Sequence, residues 1–124
     1  TMSRDPRKLR VFGLADTLVV DVYRATRPFP TDERYGLQAQ IRRAAVSTVA
    51  NIVEGSAMRT TKEYRRFLNV SLGSAAEARY LVDLAERLSY VPEPTRDGLV
   101  ARFTVLMKCL QNLIFSLERP KPKA

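Results

Sequence analysis

Residues 35–55 read YGLQAQIRRAAVSTVANIVEG, and the fold turns on how that stretch is partitioned. Leu37, Ile41, Ala44, Ala45, Thr48 and Ile52 recur at spacings of three, four or one, which places them on one helical face. Val46, Val49 and Val53 form a second apolar stripe about 100° round the same helix. The remaining side, Arg43, Ser47, Ala50 and Glu54, is mostly small. A helix with more apolar surface than one core needs is either central in its fold or packed against another subunit.

The flanking segments carry the same period. Upstream, Val11, Leu14, Leu18 and Val22 mark one face of a helix predicted over 7–25, which RPFP at 27–30 stops. Thr31 then offers an N-cap, with Asp32 and Glu33 in a first turn where negative charge suits the helix dipole, so a second helix is expected from there to Gly55. Thr60 and Glu63 have capping-box spacing and predict a third helix from about Thr61. Its expected core face is Tyr64, Phe67, Ser71, Ser74, Ala78, Leu81, Ala85 and Leu88, with Leu68, Leu72 and Ala75 as a second strip. VPEPT at 91–95 ends it. Thr95 can cap a fourth helix that buries Leu99, Phe103, Leu106, Leu110, Leu113 and Leu117. No segment reads as a strand. Four helices with short connections predict an all-α, antiparallel up-down-up-down four-helix bundle over 7–118. Residues 1–6 read as a flexible basic arm and 119–124 as a basic, proline-rich tail.

The 124 residues fit one domain, long enough to bury a core unaided. Twenty-one Lys and Arg oppose thirteen Asp and Glu, for a net charge of +8. That excess favours polyanions, chiefly nucleic acid and more weakly anionic membrane, although a basic surface also serves solubility. The single cysteine, Cys109, allows no intrachain disulfide and is compatible with a reducing cytoplasm, the expected location. No run of about 18 uninterrupted apolar residues announces a membrane span, and the first residues lack the apolar stretch of a secretory signal.

Catalytic constellations are missing from the sequence. Without histidine there is no imidazole base and no E-x-x-H di-metal motif, and one cysteine cannot build a zinc site. Glu33, Glu54 and Glu77 lie on separate segments. We therefore expect a non-enzyme with no cofactor or metal. The basic residues are more informative. MRTTKEYRRF at 58–67 brings Arg59, Lys62, Arg65 and Arg66 to the start of the third helix, where unsatisfied N–H groups already favour an anion. A second group, Arg4, Arg7, Lys8 and Arg10, precedes the first helix. Both are candidate nucleic-acid contacts, and for each the alternative is a solvated charged surface.

Arg42 and Arg43 read differently. If the second and third helices are antiparallel about Met58, residue 42 lies level with 74, and Glu77 is one turn away. Small residues from Gly73 to Ala78 would leave room for a long side chain. Pairing of one arginine with Glu77, within or between subunits, or failing that with Glu54, is therefore preferred over direct nucleic-acid contact.

FPTDERYGLQAQIRRAAVSTVANIVEG at 29–55 and FLNVSLGSAAEARYLVDLAERLSY at 67–90 resemble the bacterial four-helix-bundle proteins of the rRNA intervening-sequence family. The shared positions are Phe29, Pro30, Glu33, Tyr35 to Leu37, Gln40, Arg42 to Ser47, Ala50 to Ile52, Glu54, Gly55, Phe67, Leu68, Gly73, Ser74 and Glu77. Thr48 departs from the usual aliphatic, and the fourth helix matches only in pattern. The resemblance implies a homopentamer. It also implies kinship with the accessory variability proteins of diversity-generating retroelements, which are basic pentamers that bind nucleic acid and a reverse transcriptase. It supplies no activity. On this basis Tyr35, Asn51 and Gly73 join Arg42, Arg43, Glu54, Glu77, Val46, Val49 and Val53 as residues of structure and assembly. The expected function is electrostatic association of a homopentamer with structured RNA or DNA. Little base reading is expected, because the chain has no Trp and its Tyr and Phe fall mostly on core faces. The rival expectation is a scaffold whose ring binds a partner protein, the basic charge being incidental.

Overall fold

The periodic segments become helices where their ends can be satisfied. A computed structural model describes residues 9–118: α1 (Arg10–Thr26), a 3-10 turn (Thr31–Glu33), α2 (Leu37–Ser56), α3 (Thr61–Arg87) and α4 (Glu93–Glu118). Among the described residues there is no strand. The arm at 1–6, Arg7, Lys8 and the tail at 119–124 lie outside them. Each helix packs on two neighbours in the cyclic order α1, α2, α3, α4.

Cross-helix contacts set the register. Arg42 and Gln38 of α2 meet Tyr23 and Thr26 of α1. Ser71 donates to the Thr48 carbonyl at 2.7 Å, the Ser47 and Ser74 hydroxyls lie 2.8 Å apart, and Gly55 faces Tyr64 and Phe67. Arg96 reaches Asp83 from α4 to α3, and Arg102 reaches Asp21 from α4 to α1. Within the α1–α2 and α2–α3 pairs, residue numbers fall along one helix as they rise along the other.

The core is where these faces converge. Leu18, Val22, Ile41, Ile52, Leu68, Phe103, Leu106 and Leu110 are fully buried. Burying a large apolar side chain stabilises by about 1.5–3 kcal/mol, so this cluster dominates the fold's energetics. On α3 Tyr64, Ser71, Ala78, Leu81 and Ala85 are buried as expected, but the face departs from the expected one at other positions. Leu68 and Ala75, assigned to an outer strip, are 0% exposed, whereas Phe67 and Ser74 are only half-buried and Leu88 is exposed. On α4 the buried side ends at Ile114, with Leu113 and Leu117 at its margin. By length and composition alone α4 could cross a membrane, although it holds no uninterrupted run of 18 apolar residues. In the fold it supplies Leu99, Phe103, Leu106, Leu110 and Ile114 to the core.

The second helix begins later than expected. Thr31, Asp32 and Glu33 form a separate 3-10 turn, and the chain bends at Gly36 before α2 starts at Leu37. The cap is Glu33, not Thr31. Its Oε1 accepts the Leu37 N–H at 3.0 Å, and its Oε2 accepts the Tyr90 hydroxyl at 2.9 Å. The fourth helix starts at Glu93, two residues before the expected cap at Thr95.

Candidate nucleic-acid interface

The group at the start of α3 and Arg10, the described member of the second group, lie at the end of the bundle where α1 begins and α2 turns into α3. Thr60 caps α3 as expected, its Oγ1 accepting the Glu63 N–H at 3.1 Å. The Glu63 carboxylate instead takes Arg66, at 3.1 and 3.4 Å, and the Arg66 guanidinium lies 4.5 Å from the centre of the Phe67 ring. Arg59 and Lys62 are exposed and form no ion pair among the described residues. Arg65 is half-buried, and its Nε is buried without a hydrogen-bond partner. Three cations of the group thus have no carboxylate partner among the described residues. Arg10, at the start of α1, is exposed. Arg7 and Lys8 lie outside the described residues.

Among the described residues of this chain Arg42 does not pair with a carboxylate. Its Nε donates to Thr26 Oγ1 at 2.9 Å, one terminal nitrogen donates to the Tyr23 carbonyl at 3.2 Å, and the guanidinium stacks 4.5 Å from the centre of the Tyr23 ring. Glu77 and Glu54 are exposed, and neither pairs with Arg42 or Arg43 within the described residues. The turn after α2 runs through residue 60. The Thr48–Ser71 bond therefore puts residue 42 nearer the level of Ala78 than of Ser74. Level alone does not make a contact: Arg42 leaves α2 towards α1, on the opposite side from α3. Gly73 faces open space, so the small residues of α3 accommodate no arginine of this chain. Asn51 donates to the Ser47 carbonyl at 2.8 Å and to its hydroxyl at 3.1 Å, extending the Ser47–Ser74 contact into a polar seam between α2 and α3.

Of the outer valines, Val46 and Val53 are 40% and 41% exposed, and Val49 packs against the core. Leu68 cannot contribute to a surface stripe, because it is wholly internal. Tyr35 is 90% exposed at the corner before α2.

A feature not anticipated from the sequence lies at the opposite end. An open cleft of about 870 Å³ is lined by Arg27, Arg34, Arg42 and Arg43 with Tyr23 and Tyr35, has Val46 of the outer stripe in its wall, and has no carboxylate among its described lining residues. Gln38, also in its wall, donates to the Thr26 carbonyl at 2.8 Å. Arg27 and Arg34 flank the short segment PFPTDE, so their proximity was available from the sequence. Asp32 and Glu33 lie between them in sequence. Glu33 faces Leu37 and Tyr90, and its pKa is lowered chiefly by the Leu37 N–H and next by the Tyr90 hydroxyl. Tyr90 is raised in turn, chiefly by its bond to Glu33.

Elsewhere several arginines are neutralised, although Arg79 reaches only the Thr104 hydroxyl, at 3.1 Å. Arg96 bridges Asp97 at 2.6 Å and Asp83 at 2.9 Å, and Arg102 meets Asp21 at 2.7 Å. Hydrogen bonding, to Asp97 foremost, pushes the Arg96 pKa up against the opposing effect of desolvation. No group of three or more His, Cys, Asp or Glu among the described residues could hold a metal ion.

The sequence match coincides with these elements. A family model described as 23S rRNA-intervening sequence protein matches residues 7–112. The chain belongs to this family. The match spans α1 to α3 and most of α4, and so includes both the basic end and the cleft of this family member. Its fold is similar to a crystal structure from Bacteroides thetaiotaomicron, described as a protein with unknown function from the S23 ribosomal protein family. The TM-score is 0.78 at 22% identity, covering 85% of this chain and 95% of that one. At that identity the likeness establishes the fold alone. No curated protein matches.

Proposed function

We propose that this family member is a non-enzymatic antiparallel bundle that assembles as a homopentamer in the cytoplasm and associates electrostatically with structured RNA or DNA. The observation that carries the reading is the start of α3. Among the described residues Arg59, Lys62 and Arg65 have no carboxylate partner there, beside a helix N-terminus whose backbone donors also favour an anion. Exposed Val46 and Val53, seven residues apart on one face of α2, support burial against another copy; the number five follows from the family resemblance. In a ring the basic group would recur five times, so modest contacts would act together through avidity.

Fluorescence anisotropy of a labelled stem-loop RNA, titrated at rising salt, tests this reading. Binding should be micromolar or tighter at low salt and weaken steeply as salt rises. Arg65→Gln with Arg66→Gln should weaken binding and flatten the salt slope while leaving the helical circular dichroism intact. Unchanged affinity in that double variant would reduce the group to a solvated turn. A parent that binds nothing at low salt would leave the scaffold reading, with a partner such as a reverse transcriptase. Val105 and Phe115, exposed on α4, are the apolar surface that favours that alternative.

A further inference from the structure

We propose that the cleft between the end of α1 and the start of α2 binds a short single-stranded stretch of nucleic acid. Phosphates would lie on Arg27, Arg34 and Arg43, and a base would stack on Tyr35. This rests on the nucleic-acid reading above and adds a second site of different chemistry.

The first argument is charge. Arg24, Arg66, Arg87, Arg96 and Arg102 each have a carboxylate within 4 Å, whereas none of the cleft arginines has one among the described residues. Arg42 shows how the site keeps its charge. It is fixed by a hydroxyl, a carbonyl and an aromatic face, all neutral, so it is oriented without being neutralised. The same bonds remove an obstacle. The carbonyls ending α1 would repel a phosphate, and those of Tyr23 and Thr26 already accept from Arg42 and Gln38.

The second argument is the aromatic ring. Tyr35 is the most exposed large apolar side chain, at 90%. It lies at the Gly36 corner, beside the arginines and clear of the core. An exposed ring beside guanidinium groups is the pairing that single strands use, because unstacked bases offer a free face and the adjacent phosphates a charge. A duplex keeps its bases stacked internally and offers Tyr35 nothing to stack on. The size agrees: about 870 Å³ exceeds what one small anion fills and suits a few nucleotides.

The test uses the full chain with three probes of one sequence: a single-stranded RNA dodecamer, its DNA counterpart and the RNA duplex. Tyr35→Ala should weaken single-strand binding on the order of tenfold and leave duplex binding unchanged, and Tyr35→Phe should restore it. A 5-iodouridine-substituted strand should photocrosslink to Tyr35. Loss on RNA alone assigns the cleft to RNA, and equal loss on both strands assigns it to either; both support the proposal. If Tyr35→Ala binds single strands as the parent does while Arg65→Gln with Arg66→Gln weakens every probe, the cleft is overturned and the proposed function stands. If the parent binds no probe, both fall. If Tyr35→Ala changes the mass in light scattering, the cleft is an interface between copies and the proposal is overturned.

Discussion

Glu33 shows how much one side chain can organise. Its carboxylate caps α2 through Leu37 and holds Tyr90, 57 residues away, whose ring also packs 5.3 Å from Phe29. The pKa shifts make this pH-dependent. A carboxylate depressed on folding contributes stability above its unfolded pKa of about 4.3 and loses it as pH falls through the lower folded value. Tyr90 is raised, so its contribution is full below about 10 and is lost as pH climbs through its folded pKa. Urea midpoints from about pH 2 to 7 should therefore show Glu33→Gln less stable than the parent at neutral pH, with the gap closing in acid. A gap independent of pH would show that the carboxylate charge is irrelevant. Phe103, wholly buried on α4, is the contrasting case: Phe103→Ala should cost about 3–5 kcal/mol at any pH, because it leaves a cavity.

Pairs of elements are set by small residues and helix ends. At Gly55 a Cβ would lie 2.9 Å from the Phe67 Cβ and 3.3 Å from the Tyr64 carbonyl oxygen, so α2 and α3 are in close contact there. Gly55→Ala should destabilise, since overpacking of about 1–3 kcal/mol outweighs the roughly 1 kcal/mol that Ala gains over Gly in a helix. At the other end of α3, Ser89 takes φ 65°, and the next residue's N–H closes the helix by donating to the Ala85 carbonyl at 2.8 Å. Left-handed geometry strains a residue with a Cβ by roughly 1–2 kcal/mol, and glycine relieves it at some entropic cost. Ser89→Gly should therefore raise the denaturation midpoint by a net gain below about 1 kcal/mol. A lower midpoint would show that the serine side chain contributes to the turn.

At the scale of the whole molecule, charge is sorted. Carboxylates of α1, α3 and α4 pair with Arg24, Arg66, Arg87, Arg96 and Arg102; among the described residues the cations without such a partner cluster at both ends of α2, with Arg79 and Lys108 as isolated cases. Apolar surface is distributed unevenly too, with Val46 and Val53 left open on α2. If five chains of 14.0 kDa assemble through that face, light scattering should give about 70 kDa. Val46→Glu with Val53→Glu should then bring the mass down to that of one chain, with helicity retained, because burying unpaired carboxylates opposes association. A parent that is monomeric at micromolar concentration would remove the assembly from the proposal.

Helix number, the apolar faces of α1 and α2 and the capping of α3 by Thr60 were legible in the sequence, because each is local and repeats within a few residues. The α3 face was read correctly at Tyr64, Ser71, Ala78, Leu81 and Ala85 but not at Phe67 and Leu68, which are adjacent and both apolar; only the neighbouring helices decide which of them turns inward. The start of α2 was misplaced for a related reason. Thr31 is a good cap by type, but the group that caps α2 is Glu33, held in place by Tyr90 from a distant turn. The motif arginines alone could not reveal their partners. Sequence spacing put Arg42 near the level of Glu77, and tertiary packing sent it to α1 instead. The cleft has the same origin: its arginines and tyrosines come from separate segments, and whether a nearby carboxylate cancels their charge depends on where Glu33 points. Periodicity records which residues face inward, and only tertiary structure decides which charges are left without a partner.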